Sequence, residues 1–127
     1  MAKVFLDTNY FIDAVARKPE KQILDSLKGN ILFISILSLH IYCYIYKIKI
    51  PSTILLSQVE RFQLLDVSRD LADKALLGPT NDFEDNVQLH SAAEADCNIF
   101  LTNDKKINEL KFFGKVKIDS APTPVSS

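Results

Sequence analysis

The sequence predicts an α/β fold: a three-layer α/β/α sandwich with a parallel sheet of about five strands between two layers of helices. Three observations predict it. Short apolar runs alternate with longer helical patterns along the 127 residues. The runs are almost wholly apolar, as strands are when both faces of their sheet are covered. Helix-capping and helix-stopping residues punctuate the pattern where each helix should begin and end. Such alternation is the mark of a parallel sheet packed between helices.

Taken in order, Val4-Phe5-Leu6 is a buried strand ending at Asp7. Residues 8–16 form a helix, with Phe11, Ile12 and Val15 at helical spacing. Pro19 suits the first turn of a second helix, whose stripe is Ile23, Leu24 and Leu27 and which Gly29 ends. Residues 31–34 are the second strand, and Ser35 or Ser38 caps the next helix. That helix carries Leu37, Ile41, Tyr44, Ile45 and Ile48 on one side and is nearly apolar all round, so burial on several faces is expected, with room for a partner subunit. Tyr42, Tyr44 and Tyr46 are spaced by two, which scatters them around a helix; packing explains them better than a base-stacking stripe. Pro51 breaks the pattern, residues 52–60 form another helix, and residues 62–67 a third strand. Ser68 caps a helix with Leu71, Ala72, Ala75 and Leu76 inward, stopped by Gly78-Pro79. Residues 81–95 are a helix, 99–101 a fourth strand, 105–110 a short helix and 116–118 a fifth strand. Residues 1–118 read as one domain. Residues 119–127, with two prolines and three serines, read as a flexible tail.

Composition narrows the function classes. A 47% hydrophobic fraction with 24% charged residues excludes a disordered chain. A formal net charge of -1 argues against a constitutive nucleic-acid coat, but not against an enzyme that meets nucleic acid through metal ions and a local basic rim. Cys43 and Cys97 form no CxxC pair, and read as reduced, buried thiols of a cytoplasmic protein. His40 and His90 lack zinc-ligand spacing. Met1-Ala2-Lys3 runs straight into the first strand, without the pattern of a secretory signal. Residues 31–50 are apolar but interrupted by Ser35, Ser38, His40 and Lys47, so no membrane span is expected.

In an open parallel sheet, ligands bind beyond the carboxyl ends of the strands. The first strand ends in Asp7-Thr8-Asn9, and the fourth in Thr102-Asn103-Asp104. A third acid comes from the helix before the fourth strand. With Asp82 as origin at about 100° per residue, Asp85 falls near -60°, Leu89 near -20° and Ala93 near +20°, so one face is polar in its first turn and apolar after it. Glu84 falls near 200°, on the outer side. Carboxylates converging at such an edge repel one another unless a cation sits among them. Magnesium or manganese fits an all-oxygen set, and would acidify a bound water and stabilise charge on a phosphodiester. Asp7, Asp82 and Asp104 also stand where each would cap the following helix; Asp82 reads best as a cap, and Asp7, Asp85 and Asp104 as the site.

Three segments together resemble the PIN domain family: Val4-Phe5-Leu6-Asp7-Thr8-Asn9, Asp82-Phe83-Glu84-Asp85-Asn86-Val87-Gln88, and Ile99-Phe100-Leu101-Thr102-Asn103-Asp104-Lys105-Lys106. The likeness spans roughly residues 2 to 118 and is nearest to the small prokaryotic VapC-like ribonuclease toxins of toxin–antitoxin pairs. It implies a metal-dependent endoribonuclease with a five-stranded parallel sheet. It assigns Mg2+ or Mn2+ ligation to Asp7, Asp85 and Asp104, with Thr102 supporting the pocket by hydrogen bonding; Thr8, Asn9 and Asp82 are further supporting candidates. It further implies RNA as substrate, a homodimer and an antitoxin partner. Lys105 and Lys106, just beyond Asp104, are placed to meet a phosphate backbone.

One departure stands out. The family usually carries a glutamate in the helix after the second strand, where this chain has Ile41, on an apolar stripe that reads as ordinary core. The alternative reading is therefore a non-catalytic PIN-like module that binds RNA or a protein partner. Two other acid-bearing folds fit worse. A haloacid-dehalogenase-like phosphotransferase needs a second acid where Asn9 stands, and a phosphoacceptor receiver domain needs an acidic pair at the end of its first strand.

Overall fold

A computed structural model describes residues 1–18 and 22–121. Its sheet has six strands: β1 (Lys3–Leu6), β2 (Ile31–Ser35), β3 (Phe62–Leu65), β4 (Ile99–Leu101), β5 (Phe112–Phe113) and β6 (Val116–Asp119). Their spatial order is β3-β2-β1-β4-β6-β5. The first five in that order are parallel, as the sequence predicts. β5 is antiparallel to β6 and was not foreseen. Gly114, at φ +60, makes the tight turn between them, a conformation glycine adopts without steric cost. β6 extends through Asp119, which pairs with Leu101, so the sheet runs one residue into the segment expected as tail. The rest of that expectation, residues 122–127, lies outside the described residues, as does the Pro19 helix start.

The helices are α1 (Thr8–Ile12), continued by a π-helical turn over Asp13–Arg17, α2 (Ile23–Ser26), α3 (Ile36–Ile45), α4 (Thr53–Val59), α5 (Arg69–Leu77), α6 (Phe83–Glu94) and α7 (Lys105–Asn108). Strand periodicity sorts the core between the two faces of the sheet. Val4 and Leu6 pack with Phe11, Ile12, Tyr42 and Leu55 on the side of α1, α3 and α4. Phe5, between them in sequence, packs with Leu89, Ala92 and Ile107 on the side of α6 and α7. There its ring stacks on Phe100, centroids 5.3 Å apart. α5 joins this second layer through Leu71, Ala75 and Val87. The three-layer α/β/α expectation is met.

Two predicted faces are corrected. In α3 the residues turned inward are Ser38 and Tyr42, whose ring meets Phe11 edge-on. Tyr44 and Ile45, expected inside, are 77% and 58% exposed, and Ile41 is only half-buried. A nearly all-apolar helix gives the wheel little contrast, so the small, hydrogen-bonded Ser38 marks the packed face better than any isoleucine. Leu76, expected inward on α5, is exposed. Among the described residues, no helix is long and apolar enough to cross a membrane.

Candidate active site

The carboxyl ends of β1 and β4 lie side by side, joined where the Asp7 amide donates to the Leu101 carbonyl at 3.0 Å. Asp7 is 7% exposed and caps α1, its Oδ1 accepting from the Tyr10 amide at 2.7 Å. Its Oδ2 accepts from the buried Thr102 hydroxyl. The same hydroxyl oxygen accepts from the Asp104 amide at 3.0 Å, so Thr102 ties the two acidic positions together. Asp104 caps α7 through the Ile107 amide at 3.1 Å and is itself exposed. Asp82 caps α6 through the Asp85 amide at 2.9 Å, which leaves Asp85 in the first turn of that helix.

A cavity of about 450 Å³ opens between these elements, lined by Asp7, Asp85 and Asp104. Thr8 and Asn9, expected as supporting residues, also line it; Thr102 and Asp82 do not, Thr102 donating to Asp7 and Asp82 accepting from the Asp85 amide. The Thr8 amide donates to Gln88 Oε1 at 2.8 Å, and its hydroxyl shares a 2.8 Å hydrogen bond with Ser38. Lys105 and Lys106 are exposed and are not on this wall; among the described residues its basic side chains are Arg17 and Lys18.

Glu84 also lines the cavity, against the helical-wheel expectation. Its carboxylate accepts from Gln88 Nε2 at 3.2 Å. The misplacement has a physical cause. Asp82 is the extended cap, not part of the helix, and is a poor origin for a wheel. Counted from fully buried Gln88, Glu84 lies about 40° to one side and Asp85 about 60° to the other. Side chains in a helix also lean toward its N-terminus, so several first-turn residues reach the same pocket. Gln88 and Glu84, four residues apart in the sequence, carried that signal.

Electrostatics registers the crowding. Burial is the main cause that pushes the Asp7 carboxyl up to about 6; the Thr102 and Tyr10 bonds oppose it, and the charges of Glu84 and Asp104 add to it. Asp85 is pushed up to about 7, first by burial, then by Asp82, Asp104, Glu84 and Asp7. Among the described residues, no three His, Cys, Asp or Glu side chains already stand close enough to hold an ion between them. The donor chemistry nevertheless suits a hard divalent cation: the lining acids offer carboxylate oxygens, and burial together with neighbouring acids makes Asp7 and Asp85 resist ionisation. Ile41 is not part of this lining.

The model of the PIN domain family matches residues 4–113. A search of curated proteins finds no match. Among solved structures, VapBC2 from Rickettsia felis bound to a DNA fragment from their promoter is similar at a TM-score of 0.65 and 17% identity, over 92% of this chain and 97% of that one. DNA-bound VapBC from Salmonella typhimurium is similar at 0.62 and 21%, over 94% and 98%. FitAB bound to the IR36 DNA fragment is similar at 0.60 and 14%, over 91% and 93%. At these identities the likeness speaks for the fold.

Proposed function

The chain belongs to the PIN domain family, and we propose that it is a cytoplasmic Mg2+- or Mn2+-dependent endoribonuclease, the toxin of a toxin–antitoxin pair. The observation that carries this reading is the convergence of Asp7, Asp85 and Asp104, from three elements, on one cavity at the carboxyl edge of the sheet. The similarity to the VapBC and FitAB structures supports an antitoxin partner.

Asp7, Asp85 and Asp104 would hold the ion, with Glu84 as the fourth carboxylate in place of the glutamate that Ile41 displaces. An ion bound there supplies an acidified water and charge stabilisation for the phosphodiester. The chain itself does the positioning. Thr102 orients Asp7 and fixes Asp104, and Gln88 holds Glu84 while anchoring the start of α1. Burial and the neighbouring carboxylates hold the Asp85 carboxyl up at about 7, so a cation held there would favour its ionised form.

The half-buried Ile41 favours a second reading, a non-catalytic module that binds RNA or protein. Cleavage of mixed RNA in manganese by wild type, Asp104→Asn and Ile41→Glu separates the two. Activity in the wild type, lost in Asp104→Asn, is expected. Activity in Ile41→Glu alone would mean a degenerate enzyme, and silence in both would leave the binding module.

A further inference from the structure

Among the described residues the cavity wall carries more acid than base, a poor surface for RNA unless a cation meets the backbone near the carboxylates. Arg17 and Lys18 are the two candidates among the described residues of that wall, and Arg17 is the one the fold builds into place. It ends the π-helical turn Asp13–Arg17. In an unbroken α-helix, Asn9 and Arg17 would lie about 80° apart around the axis. A π-helical turn advances only roughly 80° per residue, so four such steps bring Arg17 back onto the side of Asn9. The bonds match this geometry. Arg17 Nη2 donates to the Asn9 carbonyl at 2.9 Å and to Asn9 Oδ1 at 3.0 Å. Its Nε stands 2.9 Å from Asp13 Oδ1, and Asp13 is 8% exposed.

We propose that Arg17, braced by Asp13 and Asn9, binds a backbone phosphate of the RNA strand entering the acidic cavity. This rests on the reading of RNA as substrate. Nε and Nη2 are engaged along one edge of the guanidinium, while Nη1 has no hydrogen-bond partner among the described residues. The plane is thus fixed before any ligand arrives, and little side-chain freedom remains to be lost on binding. The side chain is still 39% exposed, so an anion can reach it. This also gives Asn9 a role: it stands two residues from Asp7, and couples the phosphate contact to the carboxylate edge.

The test is fluorescence anisotropy with a labelled 2′-O-methyl RNA oligonucleotide, which resists cleavage, over a range of salt. Arg17→Ala should weaken binding about tenfold and flatten the log–log salt dependence by roughly 0.7, one phosphate on a single strand. Arg17→Lys should keep the slope and recover only part of the affinity, because the planar fork is lost. Arg17→Gln retains a donor for Asn9 without the charge, and thermal unfolding of each variant reports the structural share. If Arg17→Gln folds like the wild type and binds RNA with unchanged affinity and slope, the proposal is overturned while the ribonuclease reading survives. A wild type that binds no RNA overturns both.

Discussion

Replacing Asp7 by Asn removes the most deeply buried carboxylate of the cavity while keeping its size. The folded chain holds this group at about 6 against an ordinary 3.8, so its ionised form is disfavoured in the native state. The cost is nearly absent at pH 4, grows as pH rises, and is complete above pH 6. At ~1.4 kcal/mol per unit it reaches about 3 kcal/mol near pH 8. Asn keeps an acceptor for the Tyr10 amide, but turns a donor toward Thr102, whose hydroxyl proton then loses its acceptor. That takes back about 1 kcal/mol or more. The metal-free variant should therefore be more stable than wild type by about 1–2 kcal/mol at pH 8, and lose that advantage by pH 4. Urea unfolding in EDTA at both pH values measures the difference. With manganese at pH 8 the order should reverse, because only the wild type gains from binding. A variant less stable than wild type at pH 8 without metal would refute the burial argument.

Glu84→Gln keeps the acceptor for Gln88 but removes the charge, so manganese affinity by calorimetry should fall about 10–100-fold with little change in metal-free stability; an unchanged affinity would remove Glu84 from the site. Manganese affinity should rise from pH 5.5 to 8, since Asp7 and Asp85 must shed protons near pH 6 and 7 to bind. A flat profile in calorimetry would exclude them as ligands. Phe100→Ala empties a fully buried position stacked on Phe5 and should cost about 3–5 kcal/mol in urea unfolding; a loss below ~1 kcal/mol would mean that this core face repacks freely.

The sheet was legible because its strands are short and apolar and begin or end at marked residues. Asp7 and Asp104 were legible because they follow strands directly, and both also proved to be caps, so the two readings of each were never exclusive. What the chain concealed has three causes. α3 offers little polar contrast, so its inner face shows only through Ser38 and Tyr42. Arg17 reaches the cavity through a π-helical turn, and a regular wheel over residues 8–16 cannot place it. β5 is two residues long, visible only as Phe112-Phe113 before a glycine turn.

The most direct measurement is a crystal soaked in manganese, with the ion located by its anomalous scattering. Strong density in the cavity, within about 2.0–2.3 Å of carboxylate oxygens from Asp7, Asp85 or Asp104, is the expected result. A cavity without density at millimolar manganese, in crystals that leave it open to solvent, would contradict the metal site and with it the ribonuclease reading.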